Sequence, residues 1–321
     1  MKHHRVAAGA LITVVGLALS ACTEGDSPNP TPGETTTQAK APPSSVEVPE
    51  GVSEALPATL GEYPRVDGST AAIPLGRALL ERLVGVEAAH LEELVVFNTT
   101  PVAYLNLADN LADLVLGYEP AEETKREVAA KGAEFDYFPI GSDGLVFLVN
   151  TANPIESLTQ EQVRGIYTGD ITNWKDVGGA DAPIAAFQRP EDSGSQSLMR
   201  ALVMGPTPMA TPPMDQVSAG MSGLIEALAS FDNAESALGY SVFFYASEMY
   251  SQPNVKIIAV DGVTPSAQTI ASGAYPYVND FYAVVRASEP ADSPARAIAL
   301  WLTGPEGQEL VTGLGYAPAG G

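Results

Sequence analysis

The segment Arg189-Pro190-Glu191-Asp192-Ser193-Gly194-Ser195-Gln196 sets one guanidinium four residues ahead of a Ser-Gly-Ser turn, and a helical pattern from Leu198 to Val203 follows it. A helix start leaves backbone N–H groups unpaired and carries partial positive charge, so it can receive an anion. Gly194 lets an oxyanion approach the backbone closely, while Ser193 and Ser195 add hydroxyl donors. Arg189 arrives after Ile184-Ala185-Ala186-Phe187, an apolar run of strand length, and its planar fork suits bidentate pairing with an oxyanion. The same residues also fit a plain N-cap beside a surface arginine. Glu191 and Asp192 are placed either to pair with Arg189 and hold its fork or to stay solvated.

Outward from this turn, strand and helix signals alternate. Val95-Val96-Phe97, Leu114-Val115-Leu116, Leu145 to Val149, Val255 to Val260 and Tyr282 to Val285 have strand length, as does the run before Arg189. Helical patterns fall between them at Ile73 to Leu83, Glu122 to Ala130, Gly223 to Ala229 and Ala295 to Leu302. The alternation predicts an α/β architecture with largely parallel sheets, whose ligands gather at strand ends. Two further hydroxyl turns stand at such ends. Asp67-Gly68-Ser69-Thr70-Ala71 precedes a helix with Pro74 in its first turn, and Asn98-Thr99-Thr100-Pro101 follows the Val95 run with Pro101 ready to begin a helix. Each turn alone fits a cap; three at strand ends, one with an arginine, point to convergence on an oxyanion.

The N-terminus carries a different signal. Lys2 and Arg5 precede an apolar run from Val6 to Ala18, too short for a comfortable membrane span, that ends in Leu19-Ser20-Ala21-Cys22. This resembles a bacterial lipoprotein signal, with residues 1–21 removed and the single cysteine, Cys22, lipidated at the extracytoplasmic face of the cell membrane. Residues 22–58, rich in Pro, Thr, Ser and acidic residues, read as a disordered tether. About 260 residues remain, enough for two lobes.

Composition excludes several classes of function. The formal charge is −23, so no face basic enough for nucleic acid is expected. Small anions are not excluded, because screening limits exposed charges to a range of about 8 Å and first-shell donors decide affinity. Of three histidines, only His90 lies beyond the leader, and it reads as an exposed residue near a helix end. Zinc sites built from Cys and His, and a Ser-His-Asp triad without His90, are ruled out. No Asp-x-Asp-x-Asp-Gly calcium loop occurs, and no cofactor or metal is implied. Trp174 reads as a packing anchor.

Asp67-Gly-Ser-Thr-Ala71, Tyr167-Thr-Gly-Asp-Ile-Thr-Asn-Trp174, Arg189 to Ser195, Leu238-Gly-Tyr240 and Gly273-Ala-Tyr-Pro276 occur in an order that resembles the phosphate-binding proteins of ABC transporters. The similarity covers Leu60 to Tyr316. It implies a two-lobed periplasmic-binding-protein fold with the ligand in the cleft: lobe I from residues 59–143 plus 274–321, lobe II from 144–273, and crossings near Ile140 to Leu148 and Ala271 to Phe281, with Tyr275-Pro276-Tyr277 on the return. Family positions for the ligand shell fall on Ser69, Thr70, Thr99, Thr100, Arg189, Ser193, Gly194 and Ser195. Inorganic phosphate and a membrane permease are the implied partners of a protein expected to be monomeric.

Two departures qualify the resemblance. Asn98 to Pro101, standing where the family has a Gly- and Ser-rich turn, offers fewer backbone donors to the ligand. Gly117-Tyr118-Glu119-Pro120 stands where the best-studied members place an aspartate that accepts the proton of hydrogen phosphate; Glu119 would replace it, favouring a protonated oxyanion over sulfate, or would be an exposed acid at a helix start. Two rivals stay open: a surface lipoprotein with this fold used for sensing or adhesion, and a hydrolase or phosphatase using Ser193, which lacks an evident base.

Overall fold

A computed structural model describes residue 49 and residues 51–191, 193–230 and 234–319. The expected leader, Cys22, most of the expected tether and Asp192 lie outside the described residues. In chain order the elements are α1 (Val52–Ala55), β1 (Val66–Gly68), α2 (Ile73–Val84), α3 (Ala88–Leu94), α4 (Thr100–Ala108), β2 (Leu114–Gly117), α5 (Glu122–Ala130), β3 (Phe135–Asn150), β4 (Ser157–Leu158) and α6 (Gln160–Thr168). There follow β5 (Ala185–Ala186), α7 (Gly194–Leu198), α8 (Met221–Ser230), β6 (Ala237–Val242), β7 (Val255–Val260), α9 (Ala267–Ala271), β8 (Val278–Arg286), α10 (Pro294–Thr303) and α11 (Pro305–Gly313).

The strands are ordered β1-β2-β8-β3-β6-β5, with β7 also on β3 and β4 on β7. The α/β class and the open sheet with flanking helices follow the sequence, but the pairing is mixed rather than largely parallel. The pairs β1–β2, β5–β6 and β4–β7 are parallel, and every antiparallel pair contains β3 or β8. These two strands carry the chain across the molecule. Residues Phe135 to Gly144 of β3 pair with β8, and from Leu145 onward the same strand pairs with β6 and β7. From residue 140 onward β3 is buried throughout, through the apolar run Leu145 to Val149 and also through the polar residues Ser142, Asp143 and Asn150. The Tyr275 hydroxyl donates to the Leu145 carbonyl at 2.9 Å, locking the segment before β8 onto this change of partner.

Several elements form where the sequence placed them, and for local reasons. Helix α2 starts with Pro in its first turn and buries Leu75, Leu79 and Leu80 on one face. α5 spans the predicted residues, and β7 and β8 contain the predicted apolar runs. Trp174 is buried, its indole N–H donating to the Ser236 carbonyl at 3.0 Å. His90 is exposed in α3.

Two expectations need correction. Val95-Val96-Phe97 is not a strand. Val95 and Phe97 are buried and Val96 is 70% exposed, so the alternation holds. Its polar backbone, however, is used elsewhere: the Val95 N–H closes α3 on Leu91, and the Asn98 N–H goes to a carboxylate. The tether reading also reached too far. Val52 to Ala55 form α1, and Val52, Ala55 and Leu56 pack into the main core.

Candidate anion-binding site

The first hydroxyl turn is set by β1. The Ser69 N–H donates to the Leu116 carbonyl at 2.9 Å, which extends the parallel ladder by one residue, and the Ser69 hydroxyl accepts the Ala71 N–H at 3.3 Å as a cap. A side chain at Gly68 would meet the Leu116 carbonyl oxygen at 2.2 Å, so the two strands reach this spacing only with glycine there.

The second turn is tied to the first by one buried carboxylate. Asp67 Oδ1 accepts the N–H groups of Gly68 at 2.7 Å and Asn98 at 2.8 Å; Oδ2 accepts the amide groups of Asn98 at 2.7 Å and Asn106 at 2.8 Å. This holds Thr99, the residue before α4, and Thr100, its first residue, beside Ser69 and Thr70. Asp67 and Asn98 were visible in the sequence as flanks of the two turns; their pairing was not, because it joins positions 31 apart.

The opposite wall begins where β5 ends. The Arg189 N–H donates to the Tyr240 hydroxyl at 3.0 Å, and that hydroxyl donates in turn to Gln196 Oε1. The guanidinium is held by the Ser218 carbonyl at 2.8 Å, the Ala219 carbonyl at 3.1 Å and the Ser195 hydroxyl at 3.3 Å. Its plane is therefore set before any ligand arrives, which lowers the ordering cost of binding. Ser193 caps α7, its hydroxyl accepting the Gln196 N–H at 3.2 Å, so Gly194 and Ser195 occupy the first turn, where main-chain N–H groups have no intrahelical partner. A Cβ on Gly194 would lie 2.9 Å from Thr100 Oγ1, so here the two walls nearly touch.

Together the walls enclose a cavity of about 190 Å³. Ser69, Thr70, Thr99, Thr100, Arg189, Ser193, Gly194 and Ser195 all line it, together with Tyr118, Pro190, Ala219, Gly220, Met221 and Val242. The residues the sequence did not single out are of two kinds. Ala219, Gly220 and Met221 stand between Ser218 and Ser222 at the start of α8, a helix start of the same kind as the other turns. Tyr118 and Val242 prolong strand ends and look like core.

Glu119 is a correction. It does not line this cavity; its carboxylate pairs with Lys125 Nζ at 2.9 Å, and its side chain is 55% exposed. Successive side chains of extended backbone point to opposite sides, so when Tyr118 turns inward Glu119 turns out. Glu119→Gln is accordingly expected to leave anion affinity within about twofold of the parent, since an exposed pair contributes little; a tenfold loss in calorimetric titration would contradict this placement. Glu191 likewise pairs with Arg200 rather than Arg189, through two contacts of 2.6 Å. The hydrogen bonds from Arg200 hold its carboxyl below the usual carboxylate range.

Beneath the cavity Tyr118 donates to the buried carboxylate of Asp143 at 2.7 Å. Burial raises this carboxyl to about 6, against the opposing effect of the Tyr118 hydroxyl and the main-chain N–H groups of Gly144, Phe244 and Phe243. Among the described residues no cluster of His, Cys, Asp and Glu is arranged to hold a metal ion, and no helix is long and apolar enough to cross a membrane.

Comparison with known proteins agrees with this architecture. The phosphate-binding protein PstS of Bacillus subtilis is 26% identical over 133 residues, 41% of each chain. PstS of Borreliella burgdorferi is 27% identical over 200 residues, 60% of this chain and 68% of its own. The chain thus spans about half the length of the curated relatives it matches. The crystal structure of an ABC-type phosphate transport receptor from Vibrio cholerae superposes with a TM-score of 0.57 at 25% identity, covering 79% of this chain and 99% of that one. The model of the PBP superfamily domain matches residues 48–305, most of the sequence and both walls of the cavity, and the chain belongs to that family.

Proposed function

We propose that this protein is a lipid-anchored extracytoplasmic solute-binding protein that captures phosphate, or a related tetrahedral oxyanion, and hands it to an ABC importer. The observation that carries the reading is the cavity in which a pre-oriented guanidinium, Arg189, faces hydroxyl and helix-start donors from two separate walls. Such a shell is rich in donors and charge and suits an anion with acceptors on all sides. The names of the Bacillus, Borreliella and Vibrio proteins support phosphate as that anion and ABC transport as its destination.

In this reading Ser69, Thr70, Thr99 and Thr100 form one side of the ligand shell and Arg189, Ser193, Gly194 and Ser195 the other. The lobes are 59–143 plus 274–321 and 144–273, supported by the change of β3 from β8 to β6 between Gly144 and Leu145. Closure of the lobes shifts with ligand contacts made only in the closed state. The protein acts as a monomer held to the membrane by lipid on Cys22, which the lipoprotein-like leader supports. It binds and does not turn over its ligand: the Ser193 hydroxyl serves as a helix cap, and His90 is exposed on α3.

Calorimetric titration of the purified protein with phosphate, arsenate, sulfate and molybdate tests the reading. Phosphate is expected to bind with the highest affinity; no binding of any of the four would end it. Incorporation of a palmitate analogue in cells, lost in Cys22→Ser, tests the anchor separately.

A further inference from the structure

Two parts of the cavity floor are joined by a carboxylate that does not itself line the cavity. Asp143 lies on β3 just before the strand leaves β8 for β6, and it is buried. Oδ2 accepts the Tyr118 hydroxyl at 2.7 Å; Oδ1 accepts the N–H groups of Gly144 at 2.7 Å and Phe244 at 3.2 Å. Tyr118 lines the cavity just beyond the end of β2, and Phe244 stands two residues after Val242, which lines it at the end of β6. One carboxylate therefore ties floor segments that follow β2 and β6, strands separated in the sheet by β8 and β3.

Aromatic rings close around this junction. Tyr118 packs on Phe281 with centroids 5.4 Å apart, Phe281 stacks on Tyr316 at 5.2 Å, and Tyr316 stacks on Phe244 at 3.6 Å. The Tyr316 hydroxyl donates to the Ala71 carbonyl at 2.7 Å, next to Thr70 of the first hydroxyl turn. The titratable groups facing Asp143 are Tyr118, after β2, and Tyr316, after α11; β3 and the segment after β6 present main-chain N–H groups.

We propose that Asp143 is a positioning residue for the anion cavity: its ionised carboxylate holds Tyr118 against the Phe244 main chain, so capture of the anion weakens when that carboxylate takes up a proton. The inference rests on the anion-binding reading above. An ionised carboxylate only accepts hydrogen bonds, whereas a carboxylic acid carries a proton of its own. With that proton on Oδ2 the Tyr118 hydroxyl loses its acceptor, and one of two hydrogens in a buried space has to turn away. Burial raises this carboxyl from an ordinary value of 3.8 to about 6, so the protonated fraction grows as pH falls through that value.

Asp143→Asn mimics the protonated state, keeping an oxygen for Gly144 and Phe244 while offering Tyr118 an N–H. Phosphate titrations of the full chain and the variant, at about pH 7.5 and about pH 5, are compared as the ratio of their Kd values. The protonation of the anion is common to both proteins at each pH and cancels. The expected ratio is about tenfold at the higher pH, as for loss of one charge-assisted hydrogen bond, and close to one at the lower. Tyr118→Phe removes the same bond from the other side and is expected to converge in the same way, which keeps the test available if Asp143→Asn does not fold. A ratio that stays constant with pH, or is near one throughout, overturns the role of Asp143 and leaves phosphate binding intact. A parent protein that binds no phosphate overturns both.

Discussion

Arg189→Ala is expected to abolish measurable phosphate binding while leaving a folded protein. Among the described residues that line the cavity, Arg189 carries the one charged group, and charge-assisted hydrogen bonds contribute about 1.5 to 3 kcal/mol each. Losing a bidentate pair of them raises Kd by about two orders of magnitude or more. The structural cost is smaller. The carbonyls of Ser218 and Ala219 lose their partner beside a cavity that water can enter, and the main-chain bond from residue 189 to the Tyr240 hydroxyl does not depend on the side chain. Arg189→Lys separates charge from geometry: it keeps the cation but replaces the planar fork with a single ammonium that cannot serve both carbonyls and pair bidentately with an anion, so an intermediate loss is expected. Calorimetry measures the affinities, and far-UV circular dichroism with thermal unfolding in phosphate-free buffer checks the fold. Undiminished affinity in Arg189→Ala would remove the basis of the proposed function.

Gly68→Ala is expected to produce the largest loss of stability among single-methyl additions near the site. The new Cβ would fall 2.2 Å from the Leu116 carbonyl oxygen and 3.1 Å from Phe97 Cδ2, and the first of these is main chain in the neighbouring strand. Relief requires β1 to move away from β2, which stretches the bond from the Ser69 N–H to that same carbonyl. Overpacking of this kind costs about 3 kcal/mol. Because Ser69 and Thr70 follow directly, the displacement also opens one wall of the cavity, so weakened phosphate binding should accompany the lower unfolding midpoint. Denaturant unfolding and titration of the same preparation measure both effects. An alanine variant with parental stability would show that β1 and β2 are not held at this spacing.

The two predictions concern features of different legibility. Arg189 and the Ser193-Gly194-Ser195 turn could be read from the sequence because their chemistry is local: an arginine, a glycine and two hydroxyls within seven positions. The same is true of Ser69, Thr70, Thr99 and Thr100, each next to a helix start that caps and prolines mark in the chain. Glu119 illustrates the limit. Its neighbourhood was correct, but whether residue 118 or 119 faces inward depends on the direction in which backbone leaves β2, and a displacement of one residue reverses it.

Local periodicity, helix starts and composition were determined by the sequence alone: an α/β chain and three hydroxyl turns at segment ends. These follow from interactions among residues a few positions apart, and such interactions leave a pattern in the order of residues. Only the tertiary structure decided that β3 and β8 run antiparallel to all their partners, that Val95 to Phe97 forms no ladder, and that Asp67 joins two turns while Asp143 joins two ends of the cavity floor. Each depends on groups far apart in the chain, as with Asp143 and Phe244, separated by 101 positions. A buried carboxylate takes its role from the donors that folding brings around it, and its position in the sequence carries no trace of which donors those will be.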